Sequence, residues 1–254
     1  LPSTVSDAYR SDLAYIHDAG FGDVARGGAA ALLETLKRCG FHDGLVVDLG
    51  CGSGILSERV VAAGFDVFGI DISPAFIDLA RQRVPAGRFE VGSVLTAEIP
   101  PCVAVAAVGE VLSYLFDLKN SDASLTGLFR RIHGSLAPGG SLLFDVATPG
   151  RAGESGSYKT WAAGEDWAVL SLGVEDSDHG TLTRHITTFC KAGEMYRRDE
   201  EVHRLRLYAS EFVSAHLKEI GFDVVTNSRY GDASLPNGVV GFVATKRTST
   251  SGNR

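Results

Sequence analysis

Between residues 45 and 146 short apolar runs alternate with stretches whose apolar residues recur at helical spacing. Runs near 45–47, 65–70, 88–91, 103–108 and 141–146 read as strands, the first apolar enough to be buried on both faces. Leu32, Leu33 and Leu36 share one face of a helix expected over 28–38, with Gly40 as its stop, and a second helix is expected over 54–63. Ser73 reads as an N-cap with Pro74 in the first helical position, starting a helix that buries Phe76, Leu79 and Ala80. Over 122–136, Leu125, Leu128, Phe129, Ile132 and Leu136 keep helical spacing, and Pro138-Gly139-Gly140 turns the chain into the fifth strand. Strand and helix in regular succession predict a parallel sheet with right-handed crossovers.

The period changes near residue 150. Gly153, Gly156 and Gly164 mark a loose stretch, after which 167–174, 182–190 and 195–208 alternate apolar and polar residues between turn-forming clusters. This predicts an antiparallel β-meander inserted in the α/β core. Ser210 then reads as the cap of a helix burying Phe212, Val213, Leu217 and Ile220, and strands near 222–226 and 239–245 close the chain. The expected organisation is a helical leader or lid (1–40), a core (41–150), the β insertion (151–209), the rest of the core (210–247) and a disordered tail (248–254).

With 254 residues and a net charge of −7, the chain suits one large domain and disfavours a dedicated nucleic-acid binder. No apolar run approaches a membrane span and no secretory pattern opens the chain, so no membrane partner and a cytoplasmic location are expected. Cys39, Cys51, Cys102 and Cys190 form no C-x-x-C pair and have no histidine at zinc spacing, so no metal site is expected.

Asp48 is followed by Gly50, Gly52 and Gly54, a spacing distinct from the G-x-G-x-x-G of dinucleotide folds, and Asp71 ends the second strand. Gly92-Ser93-Val94 follows the third strand and Pro138-Gly139-Gly140 precedes the fifth. On these motifs the chain resembles the class I S-adenosylmethionine-dependent methyltransferases. The resemblance implies a doubly wound, mostly parallel seven-stranded sheet of the Rossmann-like methyltransferase type, whose last strand pair is antiparallel, and S-adenosyl-L-methionine as cofactor. It places Asp48, Gly50, Cys51, Gly52 and Gly54 in the cofactor loop, Asp71 on the ribose hydroxyls and Ile72 beside adenine. Where the family often has an adenine-binding acid, this chain has Ser93, so either its hydroxyl or the Val94 backbone takes that contact, or Ser93 is a turn residue. Glu110 either meets the cofactor ammonium group or is an acid at a helix N-terminus.

The expected reaction is methyl transfer by in-line displacement to a small-molecule O or N acceptor. His17 is the first candidate general base, against a plain surface histidine, and Tyr114 is the second acceptor-side candidate. Cytosine-C5 and amino-directed DNA methyltransferases are disfavoured by the position of Pro101-Cys102 and by Gly109-Glu110-Val111-Leu112 after strand four. A nicotinamide-dependent oxidoreductase and a noncatalytic cofactor-binding regulatory or assembly protein stand as alternatives. An exposed meander edge would allow a homodimer.

Overall fold

A computed structural model of the chain describes residues 8–117 and 120–248, so the expected tail lies, apart from Thr248, outside the described residues, as does the start of the leader. The core is a seven-stranded sheet in the order β10-β13-β5-β4-β1-β2-β3. Its strands are β1 (Leu45–Leu49), β2 (Asp66–Asp71), β3 (Arg88–Val91), β4 (Cys102–Ala107), β5 (Leu136–Ala147), β10 (Phe222–Asn227) and β13 (Val239–Lys246). The first five pair in parallel, and β13 runs antiparallel to β5 and β10.

Strand periodicity builds the two hydrophobic layers. Val47, Leu49, Val105 and Phe144 face α5 (Asp122–Ser135) and α6 (Ser210–Ile220), whereas Val46, Val67, Ala104 and Leu143 face α2 (Asp23–Arg38), α3 (Ile55–Ala62) and α4 (Pro74–Arg83). The strand order reverses between β1 and β4, and ligands of doubly wound sheets sit outside the carboxyl ends of strands at such a point.

The second sheet, β6 (Ser157–Ala163), β7 (Trp167–Asp176), β8 (Thr181–Ala192) and β9 (Met195–Arg206), is antiparallel throughout, and a short antiparallel pair, β11 (Arg229–Tyr230) and β12 (Ala233–Ser234), lies between β10 and β13 in the chain. The second sheet is fastened over the core by Leu115 N–H donating to Arg204 O and Tyr208 N–H donating to Ala147 O. Helix α1 (Ser11–Gly20) packs Leu13 and Ile16 against Trp167, Val169 and Ile186 of this sheet.

Four sequence expectations need correction. The loose stretch after Gly156 contains strand β6, whose side chains are mostly exposed and so carry no alternation. Helix α2 starts at Asp23 rather than near 28; Gly27 and Gly28 belong to its interior because a Cβ there would meet Tyr230 O at 2.6 Å and Val108 at 3.0 Å. Pro138-Gly139-Gly140 lies within β5 as an irregularity opposite Val103, where pairing shifts between Cys102 and Ala104. Ser210 begins α6 without capping it, its hydroxyl turned to Glu211. Ser73 does cap α4, accepting from Phe76 N–H at 3.3 Å. Among the described residues no helix is long and apolar enough to cross a membrane.

Candidate active site

A cavity opens beyond the carboxyl ends of β1, β2 and β4. One end is lined by Gly50, Gly52, Asp71, Ile72, Ser93 and Val94, the other by Tyr9, His17, Phe76, Tyr114, Phe116 and Asn120.

The first end is built by the loop after β1. Gly50 and Cys51 donate their N–H groups to Ile70 O, which fixes the tip of β1 against β2. Gly50 has φ +67 and no room for a Cβ, which would lie 2.5 Å from Val111; Gly52 has φ +53 and nothing within 4 Å of a Cβ position. The backbone is therefore bare where the cavity meets it. Asp71 accepts from Gly52 N–H and Ser73 N–H, each at 2.9 Å, one on each oxygen. Burial pushes its pKa up to about 6, opposed by backbone N–H groups of Ser73, Gly52 and Ile72. A carboxylate offers about four lone-pair sites, so two remain for hydroxyl donors from the cavity. This end fits an adenosyl group: bare backbone, a carboxylate with spare acceptor capacity for a diol, and the apolar Ile72 and Val94.

Asp48, Cys51 and Gly54 do not line the cavity. Asp48 lies beneath the loop and accepts from Ser57 Oγ at 2.7 Å, its pKa pushed up by burial to about 7. Cys51 is buried in the α2–α4 layer, where burial holds its thiol well above the usual range, and Gly54 precedes α3 at φ +80. Ser93 donates to the Asp117 carboxylate, so an acid from the loop after β4 reaches the place where the family often has one after strand three.

Glu110, read either as a partner of the cofactor ammonium group or as an acid at a helix N-terminus, pairs with two arginines instead. It adopts φ 60, its carboxylate takes Arg184 Nη2 at 2.7 Å and Arg151 Nε at 2.9 Å, and these guanidinium groups hold its pKa down against burial. Asp145 accepts from Gly109 and Glu110 N–H groups and fixes that loop as a structural acid.

The second end is aromatic. Tyr9 Oη and Tyr114 Oη are 2.7 Å apart, Arg184 Nη1 donates to Tyr114 Oη at 3.3 Å, and Tyr114 stacks on Phe116 at 4.8 Å. Burial raises the pKa of both phenols, so both stay protonated at neutral pH. His17 faces Tyr9 and Phe76 at 5.5 and 5.6 Å, and burial pushes its pKa down to about 4. The leader is held here from three sides. Ser73 Oγ donates to Tyr9 O at 2.8 Å, Glu201 accepts from Tyr9 and Arg10 N–H groups at 2.8 and 2.9 Å, and Ser53 Oγ and Arg83 donate to Asp18. Sequence reasoning named His17 and Tyr114 but missed Phe116, Asp117, Asn120, Glu201 and His203. Only an alternation of buried positions along β9 could have drawn notice to the last two.

Comparison with known proteins agrees with this geometry. The family described as a methyltransferase domain matches residues 46–140. YqeM of Bacillus subtilis (strain 168), a provisionally named methyltransferase, is 29% identical over 187 residues, covering 71% of this chain and 74% of that one. An S-adenosylmethionine-dependent methyltransferase from Clostridium acetobutylicum ATCC 824 shares the fold with TM-score 0.77 at 17% identity, covering 92% of this chain and 97% of that one. CalS10 from Micromonospora echinaspora, an amino pentose methyltransferase solved with the cofactor bound, shares it with TM-score 0.73 at 20% identity, covering 91% and 96%.

Proposed function

The chain belongs to the class I S-adenosylmethionine-dependent methyltransferases, and from that premise we propose that it methylates an O or N atom of a small molecule held at the aromatic end of the cavity. S-adenosylmethionine supplies a methyl group on a cationic sulfur, an electrophile that needs no further activation by the protein. The chain's own part is to bind, orient and exclude water, and positioning alone can supply about 7 to 11 kcal/mol. Asp71 holds the ribose hydroxyls, Gly50 and Gly52 bring bare backbone against the cofactor, and Ile72 and Val94 flank adenine, with Ser93 and Asp117 as its polar neighbours. The observation that carries the acceptor reading is the meeting of Tyr9, His17 and Tyr114 in the cavity that Asp71 also lines. The protonated phenols hydrogen-bond the acceptor, and His17 lines the pocket that holds it. The tie of the leader to Ser73 and Glu201 closes the cavity against water.

A small acceptor is supported by the enclosure of this end by leader, loop and meander, and by the amino pentose acceptor of CalS10. Net charge −7 supports it over nucleic acid. Titration calorimetry with S-adenosylhomocysteine and with NAD, followed by transfer of labelled methyl to a panel of amines, alcohols and amino sugars, tests the reading. Binding of the nucleoside thioether and label on a small amine or hydroxyl are expected; binding without transfer to any acceptor favours the noncatalytic alternative.

A further inference from the structure

His203 is 1% exposed, its Nε2 lies 2.9 Å from Glu201 Oε2, and its Nδ1 is buried without a hydrogen-bond partner. Leaving such a nitrogen buried and unpaired costs free energy, so its retention calls for a reason. Alternation along β9 places Glu201, His203 and Leu205 on one buried face, and this face meets the loop after β4 through the bridge between Tyr114 and Leu205. The imidazole packs 4.7 Å from the Tyr9 ring, 4.8 Å from Phe116 and 5.8 Å from Tyr114, three side chains that line the cavity.

We propose that His203 is the general base of the transfer, its Nδ1 taking the proton of the acceptor while Glu201 stabilises the imidazolium. This rests on the methyltransferase reading above. In the neutral ring Nε2–H donates to Glu201, which leaves the Nδ1 lone pair available. The acceptor's lone pair forms the bond to the methyl carbon as the carbon–sulfur bond breaks with its electrons left on sulfur, and the O–H or N–H proton passes to Nδ1. The buried carboxylate then faces a cation of opposite charge, the arrangement by which an acid orients and supports a basic histidine. His203 does not itself line the cavity, because the Tyr9 ring covers it; the Tyr9 side chain must turn from the imidazole as the acceptor enters, its backbone still tied to Ser73 and Glu201.

The charged and titratable groups facing His203 are few. Glu201 shares its strand, Arg184 is its register partner on β8 and is already neutralised by Glu110, Tyr114 comes from the loop, and Tyr9 and His17 come from the leader. His17, the other imidazole beside Tyr9, has among the described residues no carboxylate hydrogen-bonded to its ring to support an imidazolium, and burial pushes its pKa down to about 4.

Two measurements test the assignment. Histidine 15N NMR of the full chain with S-adenosylhomocysteine is expected to show His203 at neutral pH with a proton on Nε2 and an unprotonated Nδ1; a proton on Nδ1 in the neutral ring overturns the proposal. With the acceptor found in the screen, His203→Gln is expected to lower kcat about 10²- to 10⁴-fold with little change in KM or in thioether affinity. It also removes the acid limb of the pH–rate profile, which His17→Gln retains, and imidazole restores part of the activity of His203→Gly. Wild-type kcat in His203→Gln overturns the proposal. Should that variant not fold, the NMR tautomer decides. Failure of the wild type to bind the thioether sinks the methyltransferase reading instead, and is seen before any variant is made.

Discussion

Asp71 does two jobs with one carboxylate. It clamps the loop through two amides and keeps lone pairs for a sugar diol. Asp71→Ala is therefore expected to weaken S-adenosylhomocysteine binding by about 1.5 to 3 kcal/mol, read by calorimetry. Because burial pushes its pKa up to about 6, wild-type affinity should also fall as pH drops through that value and the acceptor form is lost. Asp48 makes a different prediction. Its folded pKa of about 7 lies above the ordinary 3.8, so the folded chain holds the proton better than the unfolded one. The stability this gives is full below about pH 4 and is lost as pH rises through about 7. Asp48→Asn should then raise the unfolding temperature more at pH 8 than at pH 5; an equal gain at both would show that Asp48 does not titrate in this window. Gly50, Gly52 and Asp71 were legible in the sequence because a local turn and a strand end fix them, whereas Asp48 and Gly54 support the loop without lining the cavity. Asp117 and the Glu201–His203 pair were not legible, since Ser93 meets Asp117 across 24 positions and Tyr9 meets Glu201 across 192.

Helix α1 is held by a small apolar cluster with the meander and by Asp18 at the loop before α3, and it has no share in the two layers of the core. Ile16→Ala removes a fully buried side chain from that cluster, a change that costs about 2 to 5 kcal/mol in a well-packed site. The loss should appear as faster hydrogen exchange in α1 and poorer methyl transfer, with the core strands protected as before. Equal loss of protection in β1 and β4 would show that the leader and core unfold together. The core helices were readable because each carries an apolar stripe toward the sheet. The leader was expected to be helical, but the bounds and partners of α1 were not legible because Trp167 and Ile186 lie far along the chain. Strand β6 escaped notice because an edge strand with Trp161 at 79% exposure lacks the alternation that marks a half-buried one.

Across the whole molecule, the contact between core and meander joins a buried ionic cluster to an apolar one of Ala147, Leu182, Leu205 and Leu207. Arg184 on β8 joins Glu110, Tyr114 and Tyr158, and Arg151 shares the same carboxylate. Removing one partner of a buried pair leaves the other uncompensated, at a cost of about 3 to 5 kcal/mol, although Arg151 still serves Glu110 here. Arg184→Met should thus lower the unfolding temperature sharply, and adding Glu110→Gln should recover part of the loss; additive losses would show that the two residues are not coupled. The parallel core and the meander followed from a switch in apolar period from helical to alternating, whereas the polar part of their contact, Arg184 and Arg151 on Glu110, has no periodic signal. The arrangement also equips the protein with its own optical gauge. Of its two tryptophans, Trp161 stands in water while Trp167 is 8% exposed, its ring 6.2 Å from Phe21 at the end of α1 and pressed against Gly20. In Trp161→Phe the single remaining indole should redden its emission whenever the leader lifts, so opening and closing become visible in a cuvette without any attached dye.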